Sequence, residues 1–162
     1  MKTIEEQLVT ALTAHDLKIA TAESCTGGLI SEMITRVPGS SAVIECGVCS
    51  YSNDIKMKLL NVKQSTIDEF TEVSEQCAKE MAEGVRLLAQ ADIGISTTGY
   101  AGPTGGTKEN PVGTVFIGIS TKDNVFAYKT NFLDEGCKDR IEVRIQCANS
   151  CLRKVLTVIS QQ

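Results

Sequence analysis

Apolar side chains recur every three or four residues in three parts of the chain, the spacing that places them on one face of an α-helix. The first set predicts a helix that ends near His15 and Asp16, and the second predicts a longer helix after the capping residue Ser74. The third predicts a C-terminal helix packed on a sheet. The three sets are Ile4, Leu8 and Leu12; Cys77, Met81, Val85 and Leu88; and Ile141, Ile145, Ala148, Leu152, Val155 and Ile159.

Short apolar runs rich in β-branched residues predict the strands. Two of these runs, 112–120 and 124–132, flank the turn TKDN and are expected to pair as an antiparallel hairpin. The other predicted strands are Leu17–Thr21, Val43–Tyr51 and Ile93–Thr97. The run Val43–Tyr51 is apolar enough to predict a largely buried strand.

Further helices are expected at Gly27–Thr35 and at IKMKLL (55–60), which follows the helix-start signal SND. The chain contains no repeat, linker or low-complexity tract. Strands and helices alternating over residues 1–162 therefore predict a single α/β domain, with a mixed sheet between helices.

Composition and charge limit the kinds of ligand and partner that the protein is expected to bind. With 162 residues, 42% of them hydrophobic, the chain is long enough to bury a core of its own. A formal net charge of −4 gives no basic field for a phosphate backbone, so we expect a small polar ligand and no nucleic acid. Glu5 and Glu6 interrupt the stretch where a signal peptide needs apolar residues, and no run reaches membrane-spanning length. These features predict a cytoplasmic protein with no membrane partner.

The seven cysteines are an odd number in a chain without an export signal, which favours free thiols. Cys46 and Cys49 have CxxC spacing, and Cys147 and Cys151 lie one helical turn apart, so a zinc site built from four thiolates is one alternative. Residues three apart on a strand face opposite sides, however. We therefore predict no metal, and a zinc-stabilised interaction domain stays the weakest hypothesis.

The segment TAESCTGG (21–28) is a strand-to-helix turn with adjacent candidate nucleophiles in Ser24 and Cys25. The only histidine, His15, lies far from it in sequence, so a histidine-based triad is not expected. The proton acceptor for a serine would then be a lysine with a lowered pKa, a tyrosine or a carboxylate. The segment YSNDIK supplies Tyr51 and Lys56.

Both members of a Ser24/Lys56 pair also have simpler interpretations. Lys56 lies in the first turn of a predicted helix, where the helix dipole and apolar neighbours would lower its pKa, or it is a solvated surface lysine. Ser24 precedes main-chain amides that could stabilise an oxyanion, or it is an ordinary helix cap.

Two further segments could contact an anion. The glycine-rich loop 98–113 follows a predicted strand and either presents amides to a ligand or is a wide turn; it lacks the ending of a Walker motif. Arg140 and Arg144 share one face of the last helix and could hold a phosphate or carboxylate, or be solvated. Gln146 points elsewhere in an ideal helix.

The motifs TAESCTGGL, PGSSAV, YSNDIKMKLLNV, VSEQCAKEMAEG, TGYAGPTGG and PVGTV follow one another across about residues 4–160. In this combination they resemble the C-terminal domain family of the competence/damage-inducible protein CinA, in its stand-alone form. The resemblance implies a three-layer α/β/α sandwich. It also implies hydrolysis of nicotinamide mononucleotide to nicotinic acid mononucleotide and ammonia, without a metal or other cofactor.

The resemblance assigns the nucleophile to Ser24, the base to Lys56 and an assisting role to Tyr51, which leaves Cys25 as a packing neighbour. The run DRIEVRIQ matches the family's substrate-contacting arginine and glutamine to Arg144 and Gln146. The expected substrate-binding residues are Thr26, Gly27, Gly28, Gly99, Ala101, Gly102, Arg140, Arg144 and Gln146.

Some positions depart from the family pattern. Tyr100 stands where the family usually has Ile, Thr104 where it usually has Asp, and the segment LDEGCKDR (133–140) is longer than usual. These changes motivate an alternative function, a pyridine-nucleotide binding module without catalysis. Small enzymes of this kind often self-associate, so a homo-oligomer is a further expectation.

Overall fold

A computed structural model describes residues 2–161, in which five strands form one mixed sheet. In chain order the strands are β1 (Ile19–Glu23), β2 (Ile44–Cys49), β3 (Ile93–Gly99), β4 (Thr114–Ser120) and β5 (Val125–Asn131). Their spatial order is β2-β1-β3-β4-β5. The first three strands are mutually parallel where they pair, and β4 runs antiparallel to both β3 and β5.

Helices cover both faces of the sheet. One face carries α1 (Ile4–Ala14), α2 (Leu29–Thr35) and α6 (Arg140–Ile159), which pack on one another. The other face carries α5 (Glu75–Ala89), with α3 (Asn53–Leu60) and α4 (Gln64–Phe70) against it. A short 3-10 helix at Ser40–Ala42 precedes β2. The predicted three-layer α/β/α arrangement is confirmed.

The core follows from the alternation of side chains along the central strands. Ile93 and Ile95 of β3 point into the cluster under α1, α2 and α6, and Ile117 and Ile119 of β4 join them. On the opposite face Gly94 lets α5 approach closely, because a Cβ there would lie 2.1 Å from the main-chain oxygen of Ala82. The central strands therefore bury both faces.

The ends of the parallel strands position the candidate site. Ser24 follows β1, Tyr51 lies just beyond β2, and Tyr100 follows β3. Because β1 pairs in parallel with both neighbours, these residues share the carboxyl edge of the sheet. Ligands of open α/β sheets bind at this edge.

Leu88, Ile141 and Ile145, which the sequence assigns to packed helix faces, are exposed, so that part of the prediction is wrong. Three further details differ from the sequence expectations. Strand β2 alternates half-buried and exposed residues because it is an edge strand, so the prediction of a largely buried strand is wrong. The helix α4 was not predicted. The N-cap of α2 is Gly28, with a φ of 95°, so the interpretation of Ser24 as a helix cap is also wrong.

Candidate active site

The side chains of Lys56 and Ser24 meet at the carboxyl edge of the sheet. The Nζ atom of Lys56 lies 3.3 Å from the Oγ atom of Ser24. Ser52 caps α3 by accepting a hydrogen bond from the amide of Ile55, and this start places Lys56 in the first turn of the helix. Only 1% of Lys56 is exposed, so the interpretation of a solvated surface lysine is wrong.

Burial lowers the pKa of Lys56 below its ordinary value, because the ammonium form loses its hydration. Three acidic groups face the amine and oppose this shift: Cys77, Glu72 and Cys25. Burial raises the pKa of Cys77 to about 12, so that thiol is uncharged at neutral pH. Glu72 is therefore the group whose negative charge favours a protonated Lys56.

Cys25 is a thiol locked in its neutral form. A hydrogen bond with Cys147 and burial raise the pKa of Cys25 well above its ordinary value, and 6% of the residue is exposed. The pKa of Cys147 is likewise raised, first by its contact with Cys151. A thiol needs its thiolate form to attack a carbonyl. Ser24, with an amine in contact, has the better geometry for a nucleophile.

Glu23, the last residue of β1, holds the turn that carries Ser24. Its carboxylate is 1% exposed and accepts six hydrogen bonds. The donors include the amides of Gly28, Ile30 and Ser31 and the hydroxyl of Thr26, at 2.8–3.1 Å. Glu23 thus satisfies the amides at the start of α2, a structural role that leaves it unsuited to be a catalytic base.

A cavity of about 220 Å³ opens beside the Ser24/Lys56 pair. Seven of the expected site residues line it: Ser24, Tyr51, Lys56, Gly99, Ala101, Gly102 and Arg140. The sequence does not indicate Asn53, Glu72 and Val73 as site residues, although they also line it. Glu72 and Val73 precede the cap of α5, and no sequence signal indicated that this segment would reach the site.

Arg140 joins three parts of the cavity wall. Its guanidinium donates to the carbonyl oxygen of Gly102 at 2.7 Å and to the hydroxyl of Tyr51 at 3.0 Å. Tyr51 is otherwise 64% exposed. Gly102 has a φ of 88°, and a Cβ there would lie 2.7 Å from Val112, so only glycine fits this position. The first residue of α6 therefore ties the glycine-rich loop to the segment after β2.

Two main-chain groups of that loop are available to a ligand. In residues 2–161 the amides of Ala101 and Gly102 donate to no protein acceptor, although both residues line the cavity. On the Ser24 side, Gly27 donates to the Ser24 carbonyl oxygen and Gly28 to Glu23, whereas within residues 2–161 the amides of Cys25 and Thr26 donate to no protein acceptor. Both the turn after Ser24 and the glycine-rich loop therefore have main-chain amides that could donate to an oxyanion.

Four of the expected substrate-binding residues do not line this cavity: Thr26, Gly27, Gly28 and Arg144. Thr26 is buried, and its hydroxyl contacts Glu23 and Thr97. Arg144 donates to the Thr26 carbonyl oxygen at 2.7 Å. A Cβ on Gly27 would lie 3.2 Å from that guanidinium, whereas a Cβ on Gly28 would lie 3.7 Å from the Cys49 sulfur.

Gln146 lies away from these residues. It is exposed on α6 and lines a separate surface depression with Cys137 and Glu142. The structure therefore does not bring Gln146 to the cavity beside Ser24. The helical phase explains this, because a residue two positions after Arg144 points to nearly the opposite side of the helix.

Between residues 2 and 161, no group of three or more His, Cys, Asp and Glu side chains is arranged to hold a metal ion. Cys147 and Cys151 are buried in α6, whereas Cys49 is exposed on the edge strand β2. The zinc-stabilised domain considered from the sequence has no site among these residues. No helix within the same range combines the length and apolar character required to cross a membrane.

Fold and site together define a class: a three-layer α/β/α domain with a serine after its first strand and a buried lysine against it. Residues 1–159 match the model of the CinA C-terminal domain. The chain belongs to the CinA C-terminal domain family.

Individual relatives agree with this assignment. A CinA-like protein of Chlorobium limicola is 52% identical over 130 residues, which are 79% of this chain and 30% of that protein. The crystal structure of competence/damage inducible protein CihA from Agrobacterium tumefaciens has a TM-score of 0.90 at 35% identity, covering 97% of this chain and 93% of the other. A CinA superfamily protein from Klebsiella pneumoniae has a TM-score of 0.92 at 29% identity, covering 99% and 100%. The chain spans about a third of the length of the curated relatives that it matches.

Proposed function

We propose that the protein is a nicotinamide-nucleotide amidohydrolase, which converts nicotinamide mononucleotide to nicotinic acid mononucleotide and ammonia. The observation that carries the proposal is the 3.3 Å contact between Ser24 and a buried Lys56 whose pKa is lowered. A neutral amine in contact with a hydroxyl is the arrangement that a serine nucleophile needs without histidine. The choice of substrate rests on the family resemblance.

The first half of the reaction transfers an acyl group to the enzyme. Neutral Lys56 accepts the hydroxyl proton of Ser24 as Oγ attacks the carboxamide carbon. When the carbon–nitrogen bond breaks, Lys56 gives the proton to the leaving nitrogen and ammonia departs. An ester on Ser24 remains.

The second half restores the enzyme. Lys56 accepts a proton from a water molecule as its oxygen attacks the ester carbon. The bond to Oγ then breaks, Ser24 regains its proton from Lys56, and the carboxylic acid is released. Main-chain amides without a protein acceptor in residues 2–161, those of Cys25 and Thr26 or of Ala101 and Gly102, would hold the negative oxygen of both tetrahedral intermediates.

The cavity dimensions suggest how a nucleotide would lie. Its volume of about 220 Å³ is below the roughly 300 Å³ at which pockets for whole small molecules begin, so it suits the carboxamide ring better than the entire nucleotide. An adjoining groove shares Ala101, Gly102 and Arg140 with the cavity. We therefore propose that the phosphate meets Arg140 at the boundary, in place of the contact with Arg144 expected from the sequence.

The test is a coupled measurement of ammonia and nicotinic acid mononucleotide after incubation with nicotinamide mononucleotide. Wild-type protein should release both products in equal amounts, and Ser24→Ala should release neither while still binding the nucleotide. Absence of both binding and turnover in the wild-type protein would contradict the proposal.

One observation favours the alternative of a binding module without catalysis. Glu72 favours the protonated form of Lys56, and a protonated lysine cannot accept the serine proton. Tight binding of nicotinamide mononucleotide without ammonia release would support that alternative.

A further inference from the structure

Glu72 lines the cavity beside Ser24 and Lys56, yet the proposed reaction assigns it no step. It lies between α4 and α5, and its segment is fixed to the sheet because the hydroxyl of Thr98 donates to its carbonyl oxygen at 2.6 Å. The acidic side chain is therefore held at the site by the position of its backbone.

The Glu72 carboxylate works against the proposed role of Lys56 as a base. A negative charge facing Lys56 stabilises the ammonium form, whereas the proposed mechanism needs the neutral amine. The other acidic groups facing the amine, Cys25 and Cys77, are thiols with raised pKa values and carry no charge at neutral pH. Among the described residues that line the cavity, Glu72 is therefore the one that carries a negative charge at neutral pH. In the free enzyme this charge disfavours the neutral form of Lys56 that the proposed mechanism needs.

Tyr100 forms the adjoining wall. Its side chain packs on the buried cluster of Val73, Ala78 and Phe116, and a Cβ on Gly105 would lie 3.1 Å from its ring. Burial, followed by the charge of Glu72, raises the pKa of the Tyr100 hydroxyl, so the ring stays neutral. A neutral aromatic ring and a carboxylate are groups that attract an organic cation.

We propose that Glu72 and Tyr100 make the cavity selective for a carboxamide on a positively charged ring, such as an N-ribosyl pyridinium, over the same amide on a neutral ring. This inference rests on the proposed function. The ring nitrogen of a pyridinium lies only a few bonds from its carboxamide carbon. An amide placed at Ser24 therefore brings that charge into the cavity that Glu72 lines.

The same arrangement links binding to activation of the base. A bound cation pairs with Glu72 and weakens its attraction for the Lys56 ammonium, and the cation itself repels that ammonium. Both effects favour the neutral amine once substrate is present. The unfavourable influence of Glu72 on the free enzyme is thereby removed by the substrate that it selects.

The test compares nicotinamide mononucleotide with a benzamide C-nucleotide of the same shape, in which carbon replaces the charged ring nitrogen. Dissociation constants measured by calorimetry in a Ser24→Ala background avoid any dependence on turnover. We expect tighter binding of the cation, and Glu72→Gln should reduce this preference by about tenfold. The exposed Glu69, close in sequence but outside the cavity lining, supplies the matched control. Glu69→Gln removes the same charge and should leave the preference unchanged.

Two further measurements exclude a merely structural effect of the substitution. In turnover of the neutral nucleotide, the acid limb of the kcat/KM profile should move to lower pH in Glu72→Gln, because Lys56 loses the charge that favours its ammonium form. Tyr100→Phe should keep the preference for the cation, and Tyr100→Leu should reduce it.

An unchanged preference in both Glu72→Gln and Tyr100→Leu would overturn the inference. If the wild-type protein binds the nucleotides but releases no ammonia, the proposed function fails, and the ratio of dissociation constants still decides this inference. If the wild-type protein binds neither nucleotide, both are overturned.

Discussion

Lys56 and Ser24 are 32 residues apart in the chain, yet their Nζ and Oγ atoms lie within 3.3 Å. The contact forms because β1 and β2 are parallel neighbours, so the turn after one and the helix after the other begin at the same edge of the sheet. A serine and a buried amine thereby meet beside a cavity without any contribution from histidine.

Replacing each candidate nucleophile by alanine shows which of the two performs the attack. Ser24→Ala should abolish ammonia release from nicotinamide mononucleotide, whereas Cys25→Ala should retain it, because the Cys25 thiol is neutral and hydrogen-bonded to Cys147. The measurement is single-turnover ammonia release by folded protein. An inactive Cys25→Ala beside an active Ser24→Ala would reverse the assignment.

Arg140 and Arg144 should have different effects. Arg140→Ala removes the bonds to Gly102 and Tyr51 for both ligands, but it should weaken binding of the nucleotide by about 1.5–3 kcal/mol more than binding of the unphosphorylated riboside, the range for hydrogen bonds to charged groups. Arg144→Ala removes the bond to the Thr26 carbonyl and should lower stability by about 1 kcal/mol while changing both ligands alike. Calorimetry with both ligands is the test. A phosphate-specific loss in Arg144→Ala alone would restore the expectation from the sequence.

Glu23 should be essential for the turn. Glu23→Gln replaces one acceptor oxygen by a donor among six hydrogen bonds, which should lower the free energy of unfolding by about 2–4 kcal/mol and reduce activity through displacement of Ser24. Urea denaturation measures the change. The exposed Glu32, which pairs with Arg36, is the control, and Glu32→Gln should leave the midpoint nearly unchanged.

Lys56 should lower the free energy of unfolding at neutral pH. Because its pKa is lower in the folded state than in the unfolded state, the unfolded chain binds the proton more readily, and stability rises with pH between the two values. Lys56→Met removes the buried amine and should raise the free energy of unfolding by about 1 kcal/mol at pH 7 while abolishing turnover. The gain should shrink towards pH 10. A loss of stability at pH 7 would show that the lysine contributes to the fold.

Part of the site could be predicted because its signals are local. The motif SND begins α3, and that start fixes the position of Lys56 on the helix. The only histidine of the sequence, His15, is far in sequence from the glycine-rich turns, which favours a lysine as the base. The contact between Arg140 and Tyr51 has no such signal, since 89 residues separate them and it depends on how α6 packs against the sheet.

The missed features have physical reasons. Lys63, the N-cap of α4, makes no side-chain capping bond, and the helix that follows is short and largely polar, so neither a start signal nor an apolar face marks it. Glu72 lies two residues after the end of α4, and its place in the cavity depends on that helix. The hydrogen bonds from the start of α2 to the Glu23 carboxylate were not predicted either. They require a left-handed conformation at Gly28, which the sequence does not specify.

The central claim is that Lys56 acts as a neutral base for Ser24. The most direct measurement is ammonia release from nicotinamide mononucleotide against pH, by wild-type protein, Lys56→Arg and the control Lys58→Arg, which changes an exposed lysine of the same helix. Wild-type and Lys58→Arg activity should rise with pH through a pKa below the free-lysine value of about 10.4. Lys56→Arg stays protonated and should lose at least about 10²-fold in turnover while still binding substrate. Near-wild-type turnover by a folded Lys56→Arg protein would contradict the account.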